Sequence, residues 1–448
     1  MSPPPTARIA IIGAGCSGLT LAAVLSHLLR TTPLPFTPKI TVFERDSART
    51  ARDQGGSLDM HGETGQRALK LAGVWDEFLK FGRYEGDSMK IMDKHGNVVM
   101  SGPGGPPPGE NPGKPNQGEE SEIDAHQFDE PDGRPEIDRG VLNSILIDSL
   151  PLNTIQWGKS LSSLTALPSS HMLTFTDGTS EEFDLVVGAD GAWSRTRKLL
   201  TPVGPFYSGI SFAETRISGC DSRVPHVGAY VGPGTIMLTA ENKGIFAQRN
   251  SGERVRVYWA MRVSEEWPDS GSVDFSSIRA ARPGLRALFA DWDPHALQLL
   301  DASDEPTDAP GVIVRPLYML PLDSFKWEHR PGVTLIGDAA HLMTPFAGEG
   351  ANMAMIDGAE LAQALLSSLL SAGTSPSQAD VLQALEKAIR EYENRMFPRA
   401  EETMRDTFES MEAFMNDDAP QSGVRFFKES IARAMEAMAA AQAAGESK

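Results

Sequence analysis

The segment Arg8-Ile-Ala-Ile-Ile-Gly-Ala-Gly-Cys-Ser-Gly18 decides the fold of this 448-residue chain. Its first five residues have the composition of a buried strand, and the apolar run after the last glycine favours a helix. Gly13 permits a tight turn between them, Gly15 lets the backbone approach a phosphate, and Gly18 lets the helix pack closely on its strand. The pattern therefore predicts a strand, turn and helix that bind a dinucleotide, with its pyrophosphate at the positive helix N-terminus.

A second apolar strand, Lys39-Ile-Thr-Val-Phe-Glu44, supports this interpretation because it ends in an acid. The Glu44 carboxylate could accept hydrogen bonds from a ribose, as the acid of a dinucleotide-binding unit does. It lies farther beyond Gly18 than the usual spacing of about 20 residues. The Pro-rich stretch 31–38 accounts for the difference as a longer loop.

Composition narrows the class of protein. A length of 448 residues with 40% hydrophobic content suits two or three domains. The two cysteines, Cys16 and Cys220, form neither a disulfide framework nor a metal-ligand spacing, so we expect small buried residues and no metal. A net charge of −19 argues against a nucleic-acid partner. We find no export signal and no membrane span, and expect a cytoplasmic protein.

Two more strands end in glycine and aspartate. Asp184-Leu-Val-Val-Gly-Ala-Asp-Gly191 is followed by Ser194 and Arg197 at the opening of a helix. Val333-Thr-Leu-Ile-Gly-Asp338 is followed by a proline-glycine segment and a long helix. A carboxylate would repel a pyrophosphate, so Asp338 is better suited to accept hydrogen bonds from the uncharged ribityl hydroxyls of a flavin.

The long helix after this motif starts near Gly350 and Asn352. Backbone N–H groups at its N-terminus would face the pyrimidine carbonyl oxygens of an isoalloxazine ring and stabilise an anionic reduced flavin. One cofactor, FAD, then explains both distant glycine motifs. The first motif with Glu44 would hold the adenosine diphosphate half, and the segment from Asp338 to Asn352 would hold the ribityl-flavin half.

The motifs together resemble those of the class A flavoprotein monooxygenases, the FAD-dependent aromatic hydroxylase superfamily. Three segments look most like the tetracycline-inactivating flavin monooxygenases: Asp53-Gln-Gly-Gly-Ser-Leu-Asp-Met-His61, Pro135-Glu-Ile-Asp-Arg139 and Gly337-Asp-Ala-Ala-His-Leu-Met-Thr-Pro-Phe-Ala-Gly-Glu-Gly350. The likeness runs along nearly the whole chain and is weakest in 101–133 and after Met415.

The resemblance and the residue patterns predict an α/β fold, in which a Rossmann-like FAD-binding domain of the aromatic-hydroxylase (GR2) type carries an inserted β-sheet substrate domain and C-terminal helices. The substrate domain includes a hairpin around Lys94-His95-Gly96 and an alternating strand, 254–263. A Pro/Gly/Glu-rich loop, 101–133, is expected to be mobile. The expected boundaries are 1–78, 134–205 and 328–375 for the FAD-binding domain, 79–133 and 206–327 for the substrate domain, and 376–448 for the C-terminal helices.

The resemblance also implies individual cofactor contacts. Arginines can fix phosphates, while acids bind sugar hydroxyls, so the chemistry of the matching positions is consistent with a dinucleotide. The FAD contacts fall on Glu44, Arg45, Asp59, Arg139 and Asp338, and the contact to NADPH falls on Arg52.

The substrate residues depart from the pattern of the antibiotic-inactivating enzymes. Glu214 stands in place of their glutamine, Thr235 in place of an arginine and Tyr258 in place of a histidine. Phe246 and Phe346 are retained and could stack on aromatic rings. Lost hydrogen-bond partners can cost several orders of magnitude in discrimination, so turnover of tetracyclines stays open. A nearby glycine of the family is replaced by Ala260, and the glutamine beside the flavin by Glu349, which could alter flavin electronics.

The activity implied by the resemblance is that of a monooxygenase with NADPH as electron donor. A C4a-hydroperoxyflavin would pass one oxygen atom of O2 to a polycyclic aromatic or phenolic substrate, with tetracycline-like molecules among the candidates. Because the cofactor carries the chemistry, no catalytic side chain is predicted. His61 and His341 are expected to have structural or flavin-packing roles.

Other functions remain open on the same platform. The chain could be a Baeyer-Villiger oxygenase, a flavoprotein reductase or a halogenase, since all begin from the same cofactor. A FAD-fold protein that binds a partner and has lost catalysis is the remaining alternative. We expect a monomer whose partners are a small-molecule substrate and O2.

Overall fold

The computed structural model describes residues 5–51, 55–102, 133–305 and 311–445. The strands in these ranges are β1 (Arg8–Ile12), β2 (Lys39–Glu44), β3 (Ser57–Asp59), β4 (Met89–Met92), β5 (Val98–Gly102), β6 (Glu136–Asp138), β7 (Ile155–Trp157), β8 (Leu161–Ala166), β9 (His171–Phe175), β10 (Ser180–Phe183), β11 (Leu185–Gly188), β12 (Phe206–Ser218), β13 (Thr235–Ala240), β14 (Lys243–Asn250), β15 (Arg254–Arg262), β16 (Ile313–Met319) and β17 (Val333–Leu335).

The α-helices in the same ranges are α1 (Cys16–Thr31), α2 (Arg67–Ala72), α3 (Trp75–Phe78), α4 (Arg139–Asp148), α5 (Arg197–Leu200), α6 (Pro225–Val231), α7 (Ile278–Leu288), α8 (Pro294–Ala302), α9 (Asp338–His341), α10 (Gly350–Ser371), α11 (Gln378–Phe414) and α12 (Gln421–Gly445). A π-helical turn, Gly62–Gln66, precedes α2, and 3-10 turns occupy Tyr84–Asp87, Trp267–Ser270 and Pro345–Ala347.

The chain divides into two compact units, each built from three segments. The first unit comprises Met1–Tyr84, Glu130–Phe206 and Tyr318–Arg405. The second comprises Glu85–Asp129, Tyr207–Leu317 and Asp406–Lys448. The C-terminal helical region is not a unit of its own, because α11 passes from the first unit into the second at Arg405.

A parallel sheet forms the centre of the first unit. Its five strands lie in the order β17-β11-β1-β2-β7, and every neighbouring pair is parallel. Strands of such sheets are buried on both faces and therefore read as continuous apolar runs, which is why β1 and β2 have the bounds that the sequence predicts. Helices α1 and α10 pack together in the core of this unit. Their contact needs Gly358, since a Cβ atom built there would lie 2.7 Å from Leu21 N.

A small antiparallel sheet, ordered β10-β9-β8, packs on β2 in the same unit. The Phe43 ring lies 4.6 Å from that of Phe175 and 5.6 Å from that of Phe183, measured between ring centroids. These aromatic contacts bury one face of the small sheet.

The second unit is built on a seven-stranded sheet with the order β16-β12-β15-β14-β13-β4-β5. One face packs on α7 and α8 through a core that includes Trp259, Phe289 and Trp292. The predicted hairpin is present as β4 and β5, although a register shift separates Ile91 from Met92. The predicted loop 101–133 needs a correction at its start, because Ser101 and Gly102 continue β5; from residue 103 to residue 132 it lies outside the described residues.

The expectation that both cysteines are buried is confirmed. Helix α10 is long and apolar enough to cross a membrane by length and composition alone, but 83% of its most apolar window is buried within the protein. Burial of this degree is what the core helix of a folded domain shows.

Candidate functional site

The three glycines of the turn after β1 have different surroundings. Protein atoms crowd Gly13 and Gly18, whereas the space beside Gly15 is open to a ligand. Gly13 has a φ of +112°, and a Cβ atom built on it would lie 2.3 Å from Ala189 O. A Cβ atom on Gly18 would lie 2.0 Å from Gly13 O. Apart from Gly15 itself and its neighbours along the chain, no heavy atom of the described residues lies within 4 Å of a Cβ atom built on Gly15, the residue before α1. Since no side chain caps this helix, its first N–H groups are suited to a pyrophosphate.

Glu44 lies at the end of β2 and is already engaged by the glycine turn. Its two carboxylate oxygens accept hydrogen bonds from Ala14 N at 2.7 Å and Asp46 N at 2.9 Å. Each oxygen has a second lone pair, so the carboxylate can still accept from a sugar hydroxyl. Glu44 lines a cavity of about 390 Å³ together with Asn143 and Trp157.

Two arginines, each with a buried and unpaired nitrogen atom, provide a test of whether FAD fits this unit. Arg139 begins α4, and its Nε atom is buried without a hydrogen-bond partner among the described residues. Nη1 of Arg197, a residue that is 3% exposed, is likewise buried and unpaired in those ranges. A buried guanidinium nitrogen without a partner is costly, so both arginines are suited to an anionic or polar ligand. Arg45 is exposed, and Arg52 lies outside the described residues.

The turn between β17 and α9 presents Asp338, whose side chain is exposed. Gly337 precedes it with a φ of +60°. The Gly337 N–H donates to Oδ2 of Asp357, a fully buried residue of α10, at 2.9 Å. Asp357 also accepts from His341 Nε2 at 2.6 Å and from Arg399 Nη2 at 2.9 Å. Burial opposes its ionisation, but the charges of His341 and Arg399 hold the pKa of Asp357 below its usual range.

The N-terminus of α10 is tied to the segment after β3. His61 Nε2 lies 2.7 Å from Asp59 Oδ2, and its Nδ1 lies 3.2 Å from Glu349 Oε1. Asn352 is fully buried; its amide accepts from His61 N at 3.0 Å and donates to Asp59 O at 2.9 Å. The Asn352 side chain is therefore used within the protein, and a contact between this residue and a flavin stays a prediction. No side chain caps α10, so negative charge is favoured there.

The predicted Asp-Gly turn after β11 has a local structural role. Asp190 accepts hydrogen bonds from Ser194 Oγ at 2.5 Å and from Arg195 N at 2.7 Å. Ser194 Oγ accepts in turn from Arg197 N at 2.9 Å, the first residue of α5. The aspartate thus shapes the turn that carries Arg197.

Four of the predicted substrate residues share one face of the sheet in the second unit. The register pairs Glu214 with Tyr258 and Tyr258 with Phe246. The adjacent row pairs Arg256 with Gln248 and Gln248 with Thr235. Because alternate residues of a strand point to the same side, these rows form one continuous surface. Phe346 belongs to the first unit, where it is buried in the 3-10 turn Pro345–Ala347.

Comparison with known proteins decides the family. A family model described as FAD binding domain matches residues 326–381. The chain is 31% identical over 455 residues to Monooxygenase penA of Penicillium thymicola, and the likeness covers 92% of this chain and 96% of that protein. The chain belongs to the class A FAD-dependent monooxygenases.

Solved structures show that this monooxygenase has the fold of FAD-dependent hydroxylases. Klebsiella pneumoniae HpxO, solved in complex with FAD and uric acid, superposes with a TM-score of 0.70 at 17% identity and covers 94% of this chain and 92% of its own. Tetracycline destructase Tet(51) superposes with a TM-score of 0.62 at 19% identity, covering 95% of this chain and 96% of its own. The predicted fold class, an FAD-binding α/β domain with an inserted sheet domain and C-terminal helices, is confirmed.

Glu214 of the monooxygenase is the centre of an ion cluster. Its carboxylate accepts from Arg216 Nη2 at 3.1 Å and from Arg315 Nε at 2.8 Å, and it also pairs with Arg256 Nη1. Only 3% of Glu214 is exposed. Burial opposes its ionisation, but the three arginines, Arg315 foremost, hold the pKa of Glu214 below its usual range. A glutamine could not replace this carboxylate without leaving the arginines short of negative charge.

Sequence reasoning missed Asp357, which fixes the turn before Asp338, and Gly358, which lets α10 pack closely on α1. In the sequence they are one polar residue and one glycine inside an apolar helix. A mid-helix glycine signals either close packing or nothing, and a mid-helix aspartate is disfavoured unless it has buried partners. An aspartate next to a glycine in the middle of an apolar helix could therefore have indicated a buried, closely packed position. Within the described ranges, no group of three or more His, Cys, Asp or Glu side chains is arranged to hold a metal ion.

Proposed function

We propose that this monooxygenase takes electrons from NADPH and transfers one oxygen atom of O2 to a polycyclic aromatic or phenolic small molecule. The observation that carries the proposal is a cluster of rings on the polar face of the second unit's sheet. The Phe212 ring lies 5.8 Å from Phe246 and 5.6 Å from Tyr258, between centroids. Clustered aromatic faces and edges favour a further aromatic ring, which supports an aromatic substrate. We also propose that the protein acts as a cytoplasmic monomer.

FAD bound in the first unit would supply the oxidising chemistry, since reduced flavin activates O2. The residues of the chain bind and orient it. Backbone N–H groups of the glycine turn and the Arg139 guanidinium are suited to the phosphates, and Glu44 and Asp338 to the hydroxyl groups. The N-terminus of α10, which has no side-chain cap, would stabilise negative charge on a flavin ring held there.

NADPH is proposed as the donor on the basis of Arg52. This arginine lies outside the described residues, so the assignment rests on the sequence resemblance. We expect Arg52→Ala to raise the KM for NADPH about tenfold or more while FAD content stays unchanged, because a phosphate contact is worth about 1.5–3 kcal/mol. If wild type and Arg52→Ala have equal KM values for NADPH, or if the KM for NADH rises more than that for NADPH, Arg52 does not bind the NADPH phosphate.

A tetracycline-like molecule is one candidate substrate, and less polar polycyclic phenols are the stronger ones. Thr235 and Tyr258 occupy positions where the resemblance implies an arginine and a histidine in the antibiotic-inactivating enzymes. Hydrogen bonds to a polyoxygenated substrate would be lost there, so the enzyme would discriminate much less strongly in favour of a polar substrate. Glu214 is 3% exposed and is held by three arginines, so it is proposed to keep these arginines in place, with a contact to the substrate as the alternative.

The test is NADPH oxidation under 18O2 with tetracyclines, anthraquinones and simple phenols as substrates. The proposal expects an aromatic product that carries one labelled oxygen atom. Phe246→Leu should raise the KM for that substrate without loss of FAD, whereas Phe206→Leu, at an exposed site on β12, should not change it. Esters formed only from ketones would establish Baeyer-Villiger chemistry instead. An unlabelled product would indicate a reductase or halogenase, and a protein that cannot be loaded with FAD would indicate a binding role.

A further inference from the structure

We propose that His61 is a positioning residue that joins the two segments of the flavin site and neutralises Glu349 there, so that the reduced, anionic flavin is tolerated. The proposal concerns His61, Asp59 and Glu349, called here the carboxylate clasp. It goes beyond the oxygenation reaction, since it assigns a role in setting the flavin potential to a residue that contacts other protein groups.

The geometry of the carboxylate clasp requires a protonated imidazole. A neutral histidine donates from only one ring nitrogen, while ionised carboxylates only accept. His61 has a carboxylate oxygen at 2.7 Å from Nε2 and another at 3.2 Å from Nδ1. Both contacts are hydrogen bonds only if both nitrogens carry a proton. Only 9% of the His61 side chain is exposed, so its ring nitrogens have little access to water as an alternative partner.

Backbone contacts fix the same two segments side by side. The His61 N–H donates to Asn352 Oδ1, and Asn352 Nδ2 donates to Asp59 O. A Cβ atom built on Gly348 would lie 3.5 Å from Asp59 Oδ1, so the two loops touch. The same group of contacts therefore holds Asp59, a predicted FAD contact, and the residues before α10. His61 is the positively charged member of this group.

The charge balance explains why the imidazolium matters here. Two carboxylates and one imidazolium leave one negative charge, next to a helix N-terminus that carries about half a positive charge. Without the histidine proton, the same place would hold two negative charges and would oppose a flavin that becomes anionic on reduction. Electrostatics agree with the geometry: burial alone would lower the pKa of His61, but Asp59 and Glu349 raise it to about 10. Burial would raise the pKa of Asp59, but the bond and charge of His61, with Arg134 nearby, lower it. The other acid near Asp59 is Glu136, whose pKa burial raises to about 7.

The experiment measures the two-electron midpoint potential of bound FAD and its Kd in wild type, His61→Gln, Glu349→Gln and the double variant. His61→Gln should weaken binding of reduced relative to oxidised FAD at least tenfold, a shift of about 30 mV to more negative potential. Glu349→Gln removes a negative charge and keeps the acceptor, so it should shift the potential in the positive direction. The double variant should return close to the wild-type potential. His171→Gln is the matched control, because this buried histidine of the same unit has no carboxylate partner among the described residues and should leave the potential unchanged.

A purely structural role for His61 predicts a different pattern. His61→Gln would then raise the Kd for both redox forms equally and leave the midpoint potential at its wild-type value. Alternatively, the potential would shift, but the double variant would keep the shifted value. Either result overturns the proposal. If His61→Gln fails to retain FAD, the Glu349→Gln protein alone decides the question, because an unchanged or more negative potential in that variant also overturns it.

Discussion

The carboxylate of Asp357 accepts the backbone N–H of Gly337 at 2.9 Å and thereby fixes the turn from which Asp338 projects. Asp357 belongs to α10 and Asp338 to α9, so the hydrogen bond joins the two elements that the sequence assigns to the flavin half of the site. We expect Asp357→Asn to lower the free energy of unfolding by about 3–5 kcal/mol, because it leaves the buried His341 without its counter-charge and removes one of the two carboxylates that pair with Arg399. Urea unfolding measures this, with Asp323→Asn, at an exposed turn, as the control. A loss below about 1 kcal/mol would show that Asp357 is not ionised, since that is the range of an exposed pair.

Asp338→Ala and Arg139→Ala should each lower FAD retention without unfolding the protein. Each removes a group that is presented to the ligand at the end of a motif and is not needed to satisfy the surrounding protein. A lost hydrogen bond to a charged group costs about 1.5–3 kcal/mol, which is roughly a 10- to 100-fold increase in the Kd for FAD. Flavin absorbance per protein and the thermal midpoint report the two properties, and Arg30→Ala on the surface of α1 serves as control. Wild-type FAD content in either variant would refute the assignment of that residue.

Gly15→Ala and Gly18→Ala should separate ligand binding from folding. A methyl group at Gly18 would collide with Gly13 O, so we expect Gly18→Ala to destabilise the protein by about 1–3 kcal/mol or more. A methyl group at Gly15 meets no protein atom within 4 Å. Gly15→Ala should therefore keep its stability within about 0.5 kcal/mol and lose FAD affinity. Equal stability losses in the two variants would mean that Gly15 has a packing role.

Glu214→Gln should destabilise the second unit although it restores the residue type implied for the antibiotic-inactivating enzymes. Removing one partner of a buried ion pair costs about 3–5 kcal/mol, and the partial exposure of Arg216 and Arg315 puts the expected loss near the lower limit. Glu412→Gln is the matched control, because Glu412 pairs with Arg262 at 2.8 Å with 45% of its side chain exposed and should cost less than about 1 kcal/mol. Chemical denaturation of both variants decides whether the cluster is structural. If Glu214→Gln leaves the free energy of unfolding unchanged, Glu214 is again a candidate for contact with the substrate.

The carboxylate clasp should make stability fall as pH rises. The pKa of His61 is raised from 6.5 to about 10, so its contribution is complete below about pH 6.5, declines through the window up to about pH 10 and is lost above it. The lowered pKa of Asp59 has the opposite sign, and its contribution is lost in acid. The measurement is the difference in unfolding free energy between wild type and His61→Gln from pH 6 to pH 10.5, in which the titration of Glu136 largely cancels. A difference that does not change over this range would show that His61 is neutral.

Local sequence patterns predicted those strands and turns whose neighbouring residues share the same kind of environment. β1 and β2 are buried on both faces, so every residue carries the same signal, and the hairpin β4 and β5 is marked by Gly96 at its turn, with a φ of +83°. The glycine turn and Glu44 were predictable because a helix follows a strand at once and the geometry is local.

Long-range partners were not predictable in the same way. The ion cluster of Glu214 depends on Arg256 and Arg315 meeting across three strands, which requires the sheet order and register. The clasp of His61 needs a segment that lies 291 positions away along the chain, as the His61 to Asn352 hydrogen bond shows. Asn352 was assigned to the flavin through its backbone, and the structure adds that its side chain holds the neighbouring loop.

The close contact at Gly358 couples the two ends of the cofactor site. Because α1 and α10 touch there without an intervening side chain, the helix N-terminus proposed for the phosphates and the one proposed for the flavin ring belong to two closely packed helices. A ligand fragment that orders one helix N-terminus also orders the other, so the second fragment binds with a smaller loss of conformational entropy. By thermodynamic linkage, each fragment strengthens the binding of the other to the same extent. If FAD binds as proposed, its adenosine half, which undergoes no chemistry, would thereby prepare the place where the chemistry occurs.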